Sequence, residues 1–189
     1  MASSTPTATI QSDLRLLRFL SLATRLSTFL LIYLLSNLPL FDSSPRISSN
    51  DSPLLRWDTF HFAHIAQNGY MYEYEWAFFP GTPLVMRVAG KLLRLLKGNG
   101  HVSLDDLLQG GALAAFACEV GSITTLYQLT LYHLGSPHIA LISSVLSLMP
   151  SSPAILRFAV YSEPFFTYFS YKGELFPTQL VIMSFVLMV

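Results

Sequence analysis

Cysteine is nearly absent from this sequence, and neither sign of charge is in excess. Cys118 is the one cysteine among 189 residues, which excludes an internal disulfide and a zinc site built on a pair of cysteines. Eleven Lys and Arg balance eleven Asp and Glu, so the sequence offers no strongly basic face of the kind that follows a phosphate backbone. Nucleic acid is therefore not an expected partner.

Charged residues are also scarce, whereas apolar residues are abundant. Asp, Glu, Lys and Arg make up 12% of the chain, hydrophobic residues make up 52%, and the mean hydropathy is +0.48. Soluble domains carry about 25% charged residues. The composition favours the bilayer as the solvent, and we predict an all-α, polytopic membrane protein.

The N-terminal forty residues divide into a tail and a membrane segment. Residues 1–13 are rich in Ser and Thr, so we expect a flexible cytosolic tail. Residues 14–40 are mostly apolar and carry Arg15, Arg18 and Arg25 near their start, which predicts a first transmembrane helix with a cytosolic N-terminus. A cleaved signal peptide is the alternative, although its apolar core is usually shorter.

Residues 41–76 form a predicted lumenal loop. The segment contains several Asp, Ser and Pro residues and ends in a string of aromatic residues, Tyr70, Tyr72, Tyr74 and Trp76. Aromatic rings beside polar groups are typical of a membrane interface. Stacking of these rings on sugar faces is the alternative.

Residues 77–189 are predicted to form further transmembrane helices. Arg87, Lys91 and Arg94 fall at helical spacing, so their helix either spans the bilayer with a basic cytosolic end or lies flat in the interface. Of these, we favour spanning. Glu119 falls at membrane depth, where a carboxylate costs roughly 3 kcal/mol, so we expect it to face other helices and to pair with Arg25.

Two sets of spaced residues resemble a known family. The first set is Arg56-Trp57-Asp58, His61, Ile65-Ala66, Gly69-Tyr70, Tyr72-Glu73 and Ala77-Phe78-Phe79-Pro80-Gly81 with Pro83. The second set is Pro150, Tyr161-Ser162-Glu163 and Phe165. Together they cover most of residues 14–172 and resemble the PIG-V family of GPI mannosyltransferases.

This resemblance implies part of a GT-C type helical bundle in the endoplasmic reticulum membrane, with the active loop in the lumen. It implies transfer of the second mannose, through an α1,6 linkage, from dolichyl-phosphate mannose to a GPI-anchor precursor. The expected partners are these lipid-linked substrates, the membrane and a small membrane subunit, and neither a metal nor another cofactor is expected. The family's chains are longer, so we expect this chain to be an N-terminal fragment. The run after Lys172 fits the family least well.

Asp58 is the predicted catalytic residue. The resemblance implies a β-linked donor and an α-linked product, and a single inverting displacement needs one carboxylate base. Asp58 matches the family's acidic residue in the loop after the first helix. The alternative is that Asp58 caps a short helix over the following sequence, TFHFAHIAQ.

Four further residues are candidates for substrate binding. Arg56 and His61 lie nearest to Asp58 in sequence and would stabilise the leaving phosphate, unless they are ordinary surface groups. Tyr161 and Glu163 belong to the second motif, and Glu163 would bind sugar hydroxyls, pair with an arginine or cap the final helix. His64 lies one helical turn from His61, but such pairs are common by chance and no metal site is predicted.

The sequence is also compatible with other functions. A non-catalytic membrane subunit, or an inactive truncated product, would keep the loop without the full helical bundle. A transporter would also contain charged residues and proline-broken helices within the membrane, although the sequence shows no internal repeat.

Overall fold

The computed structural model describes residues 6–36, 54–55, 58–98, 100–149 and 160–187. Every regular element in these ranges is helical, which confirms the all-α prediction for them. The elements are α1 (Pro6–Ser36), α2 (Thr59–Asn68), a 3₁₀ helix (Glu73–Ala77), α3 (Gly81–Lys97), α4 (Leu104–Leu134), α5 (Pro137–Leu148) and α6 (Glu163–Leu187).

Among these helices, α4 is long and apolar enough to cross a bilayer. Helix α5 is also apolar but has only 12 residues, which is too short for a typical hydrocarbon core. The sequence predicted several crossings, and that number stays a prediction.

The chain forms two compact units. The first contains residues 1–25, 118–151 and 164–189, and the second contains residues 26–117 and 152–163. The second unit holds the predicted loop, and it also holds Tyr161, Ser162 and Glu163 of the second motif.

In the first unit, α1 begins at Pro6, so residues 6–13 are helical where we expected a flexible tail. Proline suits the first turn of a helix because the missing N–H has no partner there. The buried Tyr127 donates a hydrogen bond from its hydroxyl to Asp13 Oδ2 at 2.8 Å. This contact holds the start of α1 on the unit's core, which also includes Leu17 and Ala140.

Arg25 and Glu119 form an ion pair in the same unit, as the sequence predicted. The Arg25 side chain is 4% exposed and that of Glu119 is 22% exposed. Glu119 lies near the middle of α4, where an isolated charge would be costly. The ion pair offsets part of the cost of removing both charges from water.

In the second unit, α3 and α4 approach each other through glycine. A Cβ atom on Gly110 would lie 2.5 Å from the backbone nitrogen of Gly90 and 2.6 Å from the carbonyl carbon of Ala89. No side chain fits between the two backbones at that point. Close contact through small residues is a common way for membrane helices to associate.

Replacing Gly110 with Ala should lower the free energy of unfolding by about 1–3 kcal/mol, because the added methyl group overlaps backbone atoms that cannot rotate away. The matched control is Gly173→Ala in α6, where an added Cβ meets nothing within 4 Å. This control should be neutral or stabilise its helix by up to about 1 kcal/mol. Chemical unfolding in detergent measures both, and equal effects of the two substitutions would contradict the glycine contact.

Candidate active site

Asp58 lies at the start of α2, and its carboxylate is exposed. The predicted short helix is present, since α2 begins at Thr59, and the Asp58 carbonyl accepts a hydrogen bond from the backbone N–H of Phe62 at 3.1 Å. The Asp58 side chain makes no capping hydrogen bond. The Asp58 carboxylate therefore does not cap α2, which was the alternative to its catalytic role.

Tyr161 lies beside the start of α2, although the two are far apart in sequence. The hydroxyl of Thr59 donates to the carbonyl of Val160, 101 residues away, at 3.5 Å. Tyr161 follows Val160 and is only 6% exposed. Two of the predicted site residues, Asp58 and Tyr161, thus come from different motifs and lie close together in the second unit.

The surroundings of Tyr161 raise the pKa of its phenol. Burial is the largest cause, and the negative charges of Asp58 and Glu163 act in the same direction. Hydrogen bonds involving the Asp58 backbone and the Thr59 side chain oppose them. Because the pKa is raised, Tyr161 keeps its proton at physiological pH and stays a hydrogen-bond donor.

Glu163 is exposed and is the first residue of α6. A negative charge in the first turn of a helix interacts favourably with the backbone N–H groups there. This position is compatible with helix stabilisation and with sugar binding. Arg56 lies outside the described residues, so its predicted contact with the leaving phosphate stays a prediction.

His61 lies one turn along α2 from Asp58 and is half-buried among aromatic rings. Its imidazole stacks on Phe78 with ring centroids 4.6 Å apart and meets Tyr74 edge-on at 5.6 Å. This packing limits the orientations that the imidazole can adopt. Its predicted role in binding the leaving group stays a prediction.

The aromatic string before α3 forms stacked pairs. Tyr70 stacks on Trp76 with centroids 4.6 Å apart, and Tyr72 stacks on Tyr74 at 5.5 Å. Trp76 is 72% exposed, and the Tyr70 hydroxyl donates to the carbonyl of Phe78 at 2.7 Å. This arrangement of exposed rings, with the Tyr70 hydroxyl already hydrogen-bonded, is compatible with both an interfacial aromatic belt and stacking on sugars.

Glu75 is a buried carboxylate in this loop that the sequence analysis did not single out. Its Oε2 accepts hydrogen bonds from the backbone N–H groups of Met71 at 2.8 Å and Tyr72 at 3.0 Å. Its Oε1 lies 2.5 Å from Nδ1 of His64 on α2. The Glu75 side chain therefore joins α2 to the turn that leads into the 3₁₀ helix.

The contacts of Glu75 also govern its titration. Burial alone would raise the pKa of this carboxyl group, but hydrogen bonds from the Tyr72 and Met71 backbone and from His64 outweigh burial and lower it. The sequence pattern that could have predicted the contacts of Glu75 is a carboxylate three residues after a helix-capping residue. That signal was missed because the capping residue is Tyr72 and not the usual Ser or Thr.

The hydrogen bond between His64 and Glu75 also bears on whether His61 and His64 could bind a metal ion. His64 drew attention because of its spacing from His61, but its Nδ1 faces Glu75. Across the described part of the chain, no three or more His, Cys, Asp or Glu side chains are grouped in a way that could hold a metal ion.

Comparison with known proteins identifies relatives. The model of a family described as "Mannosyltransferase (PIG-V)" matches residues 16–185, which includes most of the run after Lys172. The chain is 39% identical over 162 residues to GPI mannosyltransferase 2 of Cryptococcus neoformans, an alignment that covers 83% of this chain and 38% of that protein.

Mammalian relatives align over shorter stretches. GPI alpha-1,6-mannosyltransferase 2 of Cricetulus griseus is 37% identical over 145 residues, which cover 70% of this chain and 29% of that protein. The Homo sapiens protein of the same name is 38% identical over 125 residues, covering 65% and 25%. The chain thus spans only a quarter to two-fifths of the length of these relatives. No solved structure matches it significantly.

Replacing Glu75 with Gln should loosen the loop, because the amide keeps the size of the side chain but loses the charge and one acceptor oxygen. We expect a lower midpoint of thermal unfolding in detergent at neutral pH. Glu73→Gln is the matched control, since Glu73 is exposed in the same 3₁₀ helix and should have little effect.

The effect of Glu75→Gln should depend on pH. The pKa of Glu75 is lowered in the folded state, so its charge stabilises the fold above the ordinary value of 4.5, and this stabilisation is lost as the pH falls below that value. The difference between wild type and Glu75→Gln should therefore shrink in acid. A Glu75→Gln variant that unfolds like wild type at neutral pH would contradict this role.

Proposed function

Since this chain belongs to the PIG-V mannosyltransferase family, we propose that it forms part of an enzyme that adds the second mannose to a GPI-anchor precursor. The mannose is transferred from dolichyl-phosphate mannose through an α1,6 linkage. The names of the mammalian relatives support the linkage, and the observation that carries the proposal is the convergence of Asp58 and Tyr161 in one unit.

Asp58 acts as the catalytic base in this proposal. Its carboxylate takes the proton from the acceptor hydroxyl while that oxygen attacks the anomeric carbon of the donor mannose. The bond from this carbon to the phosphate oxygen breaks in the same step, and the phosphate leaves with the electron pair. The configuration inverts once, as the change from a β-linked donor to an α-linked product requires. The exposure of Asp58 and the absence of a capping hydrogen bond from its side chain support this role.

Tyr161 and Glu163 position the substrates. A buried phenol that keeps its proton can donate a hydrogen bond to the Asp58 carboxylate or to a sugar hydroxyl, and either contact would orient the reacting groups. Glu163 is exposed nearby and can accept hydrogen bonds from sugar hydroxyls. Arg56 and His61 stabilise the negative charge that develops on the leaving phosphate.

The proposed setting is the endoplasmic reticulum membrane, with the loop of residues 41–76 in the lumen. Helix α4 is suited to cross the bilayer, and the GT-C type bundle would contain further crossings. The exposed rings of Tyr72, Tyr74 and Trp76 would lie at the lumenal surface, where both substrates present their sugars.

A non-catalytic or inactive product is the second candidate, because the chain spans only a quarter to two-fifths of its relatives' length. Such a product would keep the Asp58 loop while lacking other parts of the bundle. Complementation with the chain alone and with an extended gene separates the two. The chain alone fails if further helices are needed, whereas the extended gene restores activity if the site is catalytic.

Asp58→Asn in the extended gene should abolish rescue of cells that lack GPI mannosyltransferase 2. Loss of a general base slows a reaction by roughly 10²–10⁴-fold, so the precursor with one mannose should accumulate. The measurement is the mannose content of the accumulated GPI precursors, together with the amount of protein in the membrane.

The matched control is Asp105→Asn, an exposed aspartate in the first turn of α4 that should leave rescue intact. Tyr161→Phe should give an intermediate defect, because it removes one hydrogen bond and keeps the ring. Full transfer of the second mannose by Asp58→Asn at normal protein levels would show that Asp58 is not the base.

A further inference from the structure

Helix α3 presents three different faces. Its packed face includes Met86 and Gly90, which are buried. A second face is an apolar stripe whose members are 51–67% exposed: Leu84, Val88, Leu92 and Leu95. Arg87, Lys91 and Arg94 follow helical spacing and lie between the packed face and this stripe.

This arrangement suits a helix that lies in the membrane interface. An exposed apolar stripe can enter the acyl region while the neighbouring cations stay at the level of the headgroups. Helix α3 has 17 residues, so its length is about 25 Å, compared with a hydrocarbon core of about 30 Å. Both features favour the flat orientation over the spanning orientation that we preferred from the sequence.

A cavity of about 320 Å³ opens beside the cationic residues of α3. Its lining residues are Ala66, Gln67, Arg87, Lys91, Val102 and Leu107. All of them belong to the second unit. Of the residues that the structure describes, two cationic side chains and one amide line the cavity, and no acidic side chain does.

The cations of α3 differ in their partners. Arg94 and Lys97 lie 3.9 Å and 3.0 Å from the carboxylate of Asp106, which compensates their charge. Arg87 donates from Nε to the Ala66 carbonyl at 2.7 Å and from a terminal nitrogen to the Ile65 carbonyl at 3.1 Å. Within the described ranges, neither Arg87 nor Lys91 pairs with a carboxylate.

These contacts preorganise Arg87 and leave a positive charge at Lys91. The carbonyls of Ile65 and Ala66 belong to the last turns of α2, and they hold the guanidinium group at the cavity. Lys91 is exposed and contributes an ammonium group one turn farther along α3. An anion in the cavity would meet both cations and the amide of Gln67.

We propose that this cavity binds the phosphate group of an anionic membrane lipid. The phosphate oxygens accept hydrogen bonds from Lys91, from the remaining N–H groups of Arg87 and from Gln67. The acyl chains of the lipid extend along the exposed stripe of Leu84, Val88, Leu92 and Leu95. A free phosphate would use the same cations, but it would leave this stripe without a partner. Asp58 is not among the residues that line this cavity, and the lipid site does not depend on the proposed transfer reaction.

The test is native mass spectrometry of the full chain in detergent, titrated with phosphatidic acid, with diacylglycerol of the same acyl chains, or with inorganic phosphate. Lys91→Gln should weaken phosphatidic acid binding about tenfold and leave diacylglycerol binding unchanged. Lys172→Gln is the matched control, since Lys172 is an exposed lysine on α6 outside the cavity and should bind like wild type. Leu92→Gln should weaken binding of phosphatidic acid but not of inorganic phosphate.

Three outcomes would overturn the proposal. Lys91→Gln could bind phosphatidic acid as wild type does, which would show that the cavity is not the lipid-binding site. Lys172→Gln could weaken binding as much as Lys91→Gln, which would indicate that the net charge of the protein attracts the lipid and that no specific site binds it. Inorganic phosphate could displace phosphatidic acid at equal concentration through Lys91, which would identify a site for soluble phosphate and not for lipid.

Discussion

The hydrogen bonds of one buried carboxylate, that of Glu75, organise the loop on which the candidate site depends. A buried charge is costly unless donors surround it, and here two backbone N–H groups and His64 meet its two oxygens. Because His64 lies on α2 and the backbone donors lie in the following turn, the carboxylate fixes one relative to the other. His61 of α2 also packs against Tyr74 in the 3₁₀ helix and against Phe78 just after it, so this packing relies on the geometry that Glu75 holds.

A second set of contacts brings the candidate site residues together. The Thr59 hydroxyl and the Val160 carbonyl join the start of α2 to the segment before α6, and Tyr161 is buried there within reach of the Asp58 charge. An exposed carboxylate beside a buried, protonated phenol provides a proton acceptor and a fixed donor in one place. In the proposed reaction, this pairing would give the two family motifs, which are separate in sequence, a common physical role.

Local patterns predicted local features well. The short helix that the sequence offered as an alternative after Asp58 is present as α2, although the Asp58 side chain does not cap it. The cost of placing Glu119 in an apolar helix predicted its pairing with Arg25. Long-range features were harder to predict. The burial of Glu75 depends on the return of the chain to His64, and the cavity beside Lys91 depends on how the end of α2 packs on α3. The helical residues 6–13 were missed because the tertiary contact between Asp13 and Tyr127 outweighs the low helix propensity of Ser and Thr.

The contact between Thr59 and Val160 also has a consequence for biosynthesis. The ribosome must make α3, α4 and α5 before it reaches Val160, so α2 exists for a time without the carbonyl that Thr59 binds. Contacts between residues so far apart in sequence form late and slowly, because a long loop must close first. A transcript that stops before codon 160 would encode the carboxylate without the tyrosine that lies beside it.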